Sequence, residues 1–326
     1  MKAAVYEKYG PPEVVHFKEV ETPTPGNGEI LIKVHATTVT SADWRVRSLT
    51  VPTGFKLMMR LVFGVSKPKQ PILGSELAGV VVSVGKDATK FKVGDPVFAF
   101  SDASMGCHAE YKCMAEHGLI ALKPANLSFE ETAALSFGGT TALSFFKRGK
   151  LQHGEKVLIN CASGGVGTAA VQLAKHFGAE VTGVCSTANM DLVRSLGAVH
   201  VIDYTKEDFT QNGKKYDVIV DTVGTAPFSR SNVSLTDRGR LLMVLAGLPD
   251  MLRIPWEQMT SNKKCIAGPV TTRTEDLRML AHLAAQGKFK PVIDRCYPFE
   301  KIVEAHRYVD TGRKKGNVVL SLQQGD

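Results

Sequence analysis

The sequence predicts an α/β protein in two parts: a mostly β, curled sheet first, and a doubly wound parallel sheet after it. Three observations carry this. Short strand-like runs broken by glycine and proline turns fill residues 1–125. From Lys156 to about Ala267 strand and helix patterns alternate, as a parallel sheet with crossover helices requires. Within that alternation, Ala162-Ser163-Gly164-Gly165-Val166-Gly167 fits the fingerprint G-x-G-x-x-G, with alanine in the first glycine's place.

The first part opens with strands at Lys2–Tyr6 and Val14–Glu19 around a Gly10-Pro11-Pro12 turn. Glu29–His35 alternates Ile30, Ile32 and Val34 inward, as a half-buried strand does. A loop over Thr37–Ser48 enters a short helix, with Ser41 as the expected N-cap. Residues 52–70 form a longer excursion whose apolar side chains either close over a substrate or pack on the domain. Further strands are expected within Ile72–Gly85, after Phe91-Lys-Val-Gly-Asp-Pro96, and at His108–Met114 and Leu119–Lys123. Strands this short and closely spaced suggest a small barrel-like sheet.

The character changes at Lys123-Pro-Ala-Asn-Leu-Ser128. Ser128 caps a helix with Glu130 and Glu131 in its first turn, and Gly138-Gly-Thr-Thr-Ala-Leu143 opens another. Strands follow at Val157–Cys161, Glu180–Cys185, His200–Ile202, Tyr216–Asp221, Arg240–Leu245 and Lys264–Ala267. Helices start near Gly165, Asn189, Ala226 and Thr274. The expected division is residues 1–125, 126–267, and 268–326 returning to the first domain.

Bulk properties narrow the function. At 326 residues the chain can hold two cores, and 44% hydrophobic with 22% charged residues excludes disorder and a disulfide scaffold. No apolar run is long enough to span a bilayer. Met1–Tyr9 lacks the apolar centre of a signal peptide, so a cytoplasmic protein is expected. The net charge of +8 is scattered, with Arg313-Lys314-Lys315 as its densest run. That fits a basic surface attracting an anionic cofactor better than nucleic-acid binding. Six cysteines without a C-x-x-C pair read as small buried hydrophobes. Cys107-His108…Cys113…His117 fits no common zinc spacing.

In the fingerprint, a small first residue allows the tight turn, Gly164 lets N–H groups approach a pyrophosphate, and Gly167 allows close helix–strand packing. Ser163, Gly165 and Val166 complete the turn, and the helix start offers donors and partial positive charge to phosphates.

The layout resembles the medium-chain dehydrogenase/reductase superfamily, and within it the zinc-independent quinone oxidoreductase branch. Its marks are Thr40-Ser-Ala-Asp-Trp-Arg-Val-Arg47, Gly74-Ser-Glu-Leu-Ala-Gly79, Phe91-Lys-Val-Gly-Asp-Pro-Val-Phe98, Gly139-Thr-Thr-Ala-Leu143, Ala162–Gly167 and Gly316-Asn-Val-Val-Leu320. The resemblance spans essentially the whole chain. It implies a GroES-like catalytic domain with a Rossmann domain inserted before its C-terminal part, and a homodimer or higher homo-oligomer. Zinc members place a cysteine near Thr40–Asp43 and a histidine where this chain has Ser75. No cysteine precedes Cys107, and the four-cysteine structural-zinc lobe expected around residues 85–115 is missing, so a metal-free enzyme is expected.

An NAD-binding unit ends its second strand in an acid that holds the ribose hydroxyls. Here that strand ends at Cys185-Ser186-Thr187, with no carboxylate to repel a 2′-phosphate and two hydroxyls to bond it. The resemblance adds Tyr204 as a phosphate contact; Asn189 stands where many relatives carry Lys or Arg. NADPH is therefore expected over NADH. By the same resemblance Thr140, Leu245-Ala246-Gly247 and Asn317 border the nicotinamide.

Without a Lewis acid to polarise a simple ketone, hydride transfer favours substrates activated by conjugation: quinones and α,β-unsaturated carbonyls. Thr40 is a candidate donor to the carbonyl oxygen and Trp44 a candidate aromatic wall. Two alternatives stand beside this reductase. One is an NADPH-binding protein of weak activity that acts by binding, including of nucleic acid. The other is a zinc alcohol dehydrogenase.

Overall fold

The computed structural model describes residues 1–322, apart from the Thr260 side chain. The chain forms two compact units, residues 1–51, 56–137 and 273 onward in the first, and 52–55 with 138–272 in the second. The first division thus falls at 137/138 rather than 125/126. The reason is packing: the short helix of residues 129–133 lies on strands of the first unit's sheet.

In chain order the first unit contains β1 (Lys2–Tyr6), β2 (Val15–Glu19), β3 (Glu29–Val39), α1 (Ser41–Ser48), α2 (Lys56–Phe63), β4 (Glu76–Val84), β5 (Pro96–Phe100), β6 (Tyr111–Ala115), β7 (Ile120–Leu122) and α3 (Phe129–Ala133). Helix α4 (Ser136–Gly149) begins there and continues into the second unit. The second unit adds β8 (Lys156–Asn160), α5 (Gly165–His176), β9 (Glu180–Cys185), α6 (Met190–Ser195), β10 (His200–Asp203), β11 (Tyr216–Asp221), α7 (Phe228–Ser231), β12 (Leu235–Met243), α8 (Leu248–Thr260) and β13 (Lys264–Ile266). The chain then returns with α9 (Thr274–Ala285), β14 (Ile293–Pro298), α10 (Ile302–Asp310) and β15 (Asn317–Ser321).

The first unit is built on β3. Its first half pairs with β6 and its second half with β15, while β4 runs along the other edge. Two register shifts, at Leu31/Ile32 and Val34/Ala36, bend it, as bulges do. The sheet runs β14-β15-β3-β4-β5-β7, with β6 on β3. Only β14–β15 is parallel. The alternation read from sequence holds: Ile30, Ile32 and Val34 are buried in one apolar cluster with Leu77, Val97 and Ile120.

One local expectation is corrected here. The N-cap of α1 is Thr40, not Ser41: Thr40 accepts from the N–H groups of Ala42 and Asp43, while Asp43 accepts the Thr40 N–H. This reciprocal box satisfies three backbone N–H groups, which Ser41 one residue later cannot do. In the 52–70 excursion, Met59 and Phe63 pack on the core, whereas Leu57, Met58, Leu61 and Val62 remain exposed.

The second unit is a six-stranded, wholly parallel sheet in the order β10-β9-β8-β11-β12-β13. Numbered within the unit this is 3-2-1-4-5-6, whose order reverses between β8 and β11. Strands β8 and β11 are almost wholly buried, and their apolar runs need no alternation because both faces are covered. Strand β12 starts five residues earlier than expected and ends at Met243, leaving Leu245-Ala246 in the following loop. Helix α8, absent from the sequence reading, is capped by Gly247, has proline in its first turn and contains Pro255.

Candidate active site

In open parallel sheets ligands bind outside the carboxyl ends of the strands, at the point where strand order reverses. Here the carboxyl ends there are Asn160 of β8 and Asp221 of β11, register partners. The turn after Asn160 holds Cys161 at φ +61°, an unusual conformation for a side-chain residue. Ala162 is fully buried and its N–H donates 2.9 Å to the Val184 carbonyl of β9. Gly164, with extended backbone, is the N-cap of α5. Gly167 is where a side chain is excluded: a Cβ there would lie 2.1 Å from the Cys161 carbonyl oxygen. At Gly164 a Cβ would meet only Cys161, 3.3 Å from Sγ and 3.5 Å from O. The two glycines therefore do different work: one brings helix to strand, the other leaves the helix start open.

The first-turn N–H groups of α5 have no intrahelical acceptor. Beside them, Asn189 donates 3.0 Å to Ser163 Oγ, which ties the loop after β9 to the glycine turn. The other amide atom of Asn189, Oδ1, is buried without a partner. An open helix N-terminus with an unsatisfied amide at its side fits an anionic, hydrogen-bonding ligand such as a dinucleotide.

The end of β9 carries Cys185, Ser186 and Thr187, as the sequence indicated. The neighbouring strand adds what sequence spacing concealed. Thr187 donates its hydroxyl to Asp203 at the end of β10, and Asp203 also accepts from the Thr205 N–H and hydroxyl, at 3.0 and 2.7 Å. These bonds, led by the one from Thr187, hold the Asp203 carboxyl below its usual range. A carboxylate is thus present beside this loop, and it consumes the proton of Thr187. Ser186 caps the following turn without a side-chain cap bond. Tyr204 is exposed, anchored by its N–H to the Cys185 carbonyl at 3.1 Å.

The sequence reading missed Asp221. This wholly buried carboxylate accepts from the Asn160 amide (3.0 Å), from the N–H groups of Val223 and Gly224 (3.2 and 3.1 Å), and from Ala226 N–H (2.7 Å). Asn160 also donates to Thr225 at 2.8 Å. Together they fix the β11–α7 loop against the end of β8. The available signal was an aspartate closing a strand before Thr-Val-Gly-Thr, a side-chain-organised turn. Of the other expected contacts in this unit, Thr140 is fully buried on α4, while Leu245, Ala246 and Gly247 line the loop between β12 and α8.

The first unit carries a second set of polar groups. Thr40, only 3% exposed, donates 2.6 Å to Asp43 Oδ2, and Asp43 Oδ1 accepts the Gly74 N–H at 2.8 Å. Thr40 has one hydroxyl proton, and Asp43 holds it. Trp44, the next residue, is half-buried against the apolar cluster and lies under Arg45. Glu76 is wholly buried. It accepts from the Thr38 hydroxyl (2.5 Å) and the Phe137 N–H (2.6 Å), yet burial pushes its carboxyl up to about 7. Ser75 is buried with its hydroxyl unpartnered. His108 bonds through Nε2 to the Thr38 carbonyl at 2.9 Å. Asn317, at the start of β15, is 6% exposed and donates 3.1 Å to the Val292 carbonyl.

Zinc prefers thiolate, imidazole or carboxylate ligands converging on one point. Beside Ser75, both oxygens of Glu76 and both of Asp43 already accept hydrogen bonds, and His108 is engaged through Nε2 with the Thr38 carbonyl. Among the described residues no three His, Cys, Asp or Glu side chains gather as a metal group. This donor set does not fit zinc.

A β-rich unit joined to a 3-2-1-4-5-6 sheet, with a glycine turn at its reversal point, defines a nicotinamide-dependent oxidoreductase. Residues 26–142 match the family described as alcohol dehydrogenase GroES-like domain, and residues 196–320 the one described as zinc-binding dehydrogenase. The human quinone oxidoreductase is 32% identical, with 99% of this chain and 98% of that protein aligned. The chloroplastic NADPH-dependent alkenal/one oxidoreductase of Arabidopsis thaliana is 33% identical over 98% of this chain and 79% of its own. The solved quinone oxidoreductase from Coxiella burnetii superposes with a TM-score of 0.88 at 28% identity, covering 99% of both chains. The chain belongs to the medium-chain dehydrogenase/reductase superfamily, in its quinone oxidoreductase branch.

Proposed function

We propose that this protein is a zinc-independent reductase that uses NADPH to reduce quinones and α,β-unsaturated aldehydes or ketones. The observation that carries the reading is the glycine turn at the sheet's reversal point, followed by a β9 that ends in Ser186 and Thr187 instead of an acid. Bound NADPH supplies a hydride; what remains for the chain is to bind, orient and exclude.

The first turn of α5, with Ser163 to Gly167, holds the pyrophosphate, and Asn189 steadies that turn through Ser163. Because Thr187 gives its proton to Asp203, Ser186 is the hydroxyl that donates to a 2′-phosphate, with the exposed Tyr204 phenol assigned to the same phosphate. Thr140, Leu245, Ala246, Gly247 and Asn317 are assigned to the nicotinamide end. Thr40 serves as a positioning residue: it caps α1 and so fixes Trp44, the aromatic wall on the substrate side. To donate to the substrate carbonyl as well, Thr40 would have to turn its hydroxyl proton away from Asp43. Serine at position 75, with the Glu76 and Asp43 carboxylates already engaged, supports chemistry without a Lewis acid, which suits conjugated acceptors. A homodimer and a cytoplasmic location belong to the same reading. Among the described residues no helix is long and apolar enough to cross a membrane.

The experiment is NADPH oxidation followed at its absorbance band with a panel of quinones and enones, run beside NADH. Turnover with at least one acceptor and a preference for NADPH are expected. Tight NADPH binding with no turnover on any acceptor would favour a binding protein instead.

A further inference from the structure

The six-stranded sheet has a second chemically distinct end. A cavity of about 430 Å³ is lined by Arg148, Lys150, Arg238, Arg240 and Lys264, with Asn262 beside them. Arg148 lies in the last turn of α4 and Lys150 just beyond its end, Arg238 and Arg240 come from β12, and Lys264 from the first position of β13. Arg240 is in register with Lys264 and with Val218, and Val218 with Val157. That level lies toward the amino ends of the strands. The glycine turn follows Asn160, level with Asp221 and Met243, three residues or ~10 Å further along. The cavity is thus separate from the dinucleotide turn.

Its charge is largely unopposed. Among the described residues no acidic side chain lines it. Glu155 pairs with Arg240 at 2.5 Å, and Arg148 is held by the Ala267 and Pro269 carbonyls. Among the described residues Lys150, Arg238 and Lys264 have neither ion pair nor side-chain hydrogen bond, and all three are exposed. Four cations without a carboxylate equal half the chain's net charge of +8. Like charges this close repel, and the carbonyl end of α4 offsets only part of that. A bound anion would remove the repulsion. The cavity falls in the size range of small-ligand sites, and no aromatic side chain lines it for base stacking. Both features favour a compact anion over a nucleic-acid strand.

We propose that this cavity binds a compact polyanion carrying two or more linked phosphate groups. The inference does not depend on the reductase reading, since it rests on residues that reading does not use. The test is calorimetric titration of the full-length protein with tripolyphosphate, with and without saturating NADPH. Sulfate at matched ionic strength and a short single-stranded RNA serve as comparisons. One tripolyphosphate per chain is expected, unaffected by NADPH. Binding should weaken at least tenfold in the triple variant Lys150→Gln/Arg238→Gln/Lys264→Gln, whose urea midpoint checks that it is folded. Binding no tighter than sulfate, loss of binding under NADPH, full binding by the folded triple variant, or tighter binding of the RNA would each overturn the proposal.

Discussion

Gly167 and Gly164 stand three residues apart in one turn, and the structure predicts opposite consequences for adding a methyl group to each. At Gly167 an alanine Cβ would lie 2.1 Å from the Cys161 carbonyl oxygen, 0.9 Å inside the 3.0 Å that Cβ contacts observe. The obstacle is backbone, so α5 must move off β8. Forced displacement of packed elements costs about 1–3 kcal/mol, and the backbone obstacle puts this case at the upper end. At Gly164 the nearest atom is Cys161 Sγ at 3.3 Å, and φ is −79°. Alanine fits there with a shift of a few tenths of an ångström, at a cost within about 1 kcal/mol. That methyl would still occupy the approach to the helix start. Gly164→Ala should therefore fold normally yet raise the NADPH Kd at least tenfold, about 1.4 kcal/mol. Gly167→Ala should lose stability without ligand present. Urea unfolding of the ligand-free proteins and NADPH fluorescence titration separate the two. Equal destabilisation by both variants, or an unchanged Kd in Gly164→Ala, would refute the division of labour.

Other consequences can be checked independently. Ser186→Asp places an acid where none closes β9, and should raise the KM for NADPH at least tenfold while NADH improves or holds, read from paired kinetics. Glu76 is raised in the folded state from 4.5 to about 7. The native protein therefore binds the extra proton between those values, and this group's contribution is full below 4.5 and lost as pH rises through 7. Relative to Glu76→Gln, the natural protein should lose on the order of 3 kcal/mol between pH 4.5 and 8, measured by urea unfolding at several pH values; a pH-independent difference would contradict the assignment. His306 is wholly buried with both ring nitrogens unpartnered, and burial, helped by His108 and Arg47, drives it well below 6.5. The unfolded chain takes up that proton first, so stability falls as pH drops below about 6.5. His306→Met should flatten that acid limb while changing neutral-pH stability little.

Much of the fold was legible because its signals are local. Buried parallel strands announce themselves as β-branched runs, so β9 and β11 fall where their composition puts them. Ser128 with Glu131 forms the capping box its spacing suggests. The failures have physical causes too. Helix α8 was hidden because Pro255 argues against a helix interior. The α1 cap was displaced by one residue because Thr40 and Ser41 are both good caps, and only the partner, Asp43 three residues after Thr40, decides between them. In the candidate site, the glycine turn was readable as a string. The Thr187–Asp203 and Asn189–Ser163 bonds were not, because they join residues sixteen and twenty-six positions apart through strand order. Part of the Asp221 cluster was hidden for a similar reason: Asn160, which donates to both Asp221 and Thr225, reaches them only when β8 and β11 pair.

The central claim is that hydride leaves NADPH for a conjugated acceptor with no metal assisting. Its most direct test is steady-state reduction of an α,β-unsaturated ketone by chelator-treated protein, with metal content measured on the same sample. The account predicts undiminished turnover in metal-free protein, faster with NADPH than NADH, and no reduction of the saturated ketone. Activity that disappears with the chelator and returns with zinc would contradict it.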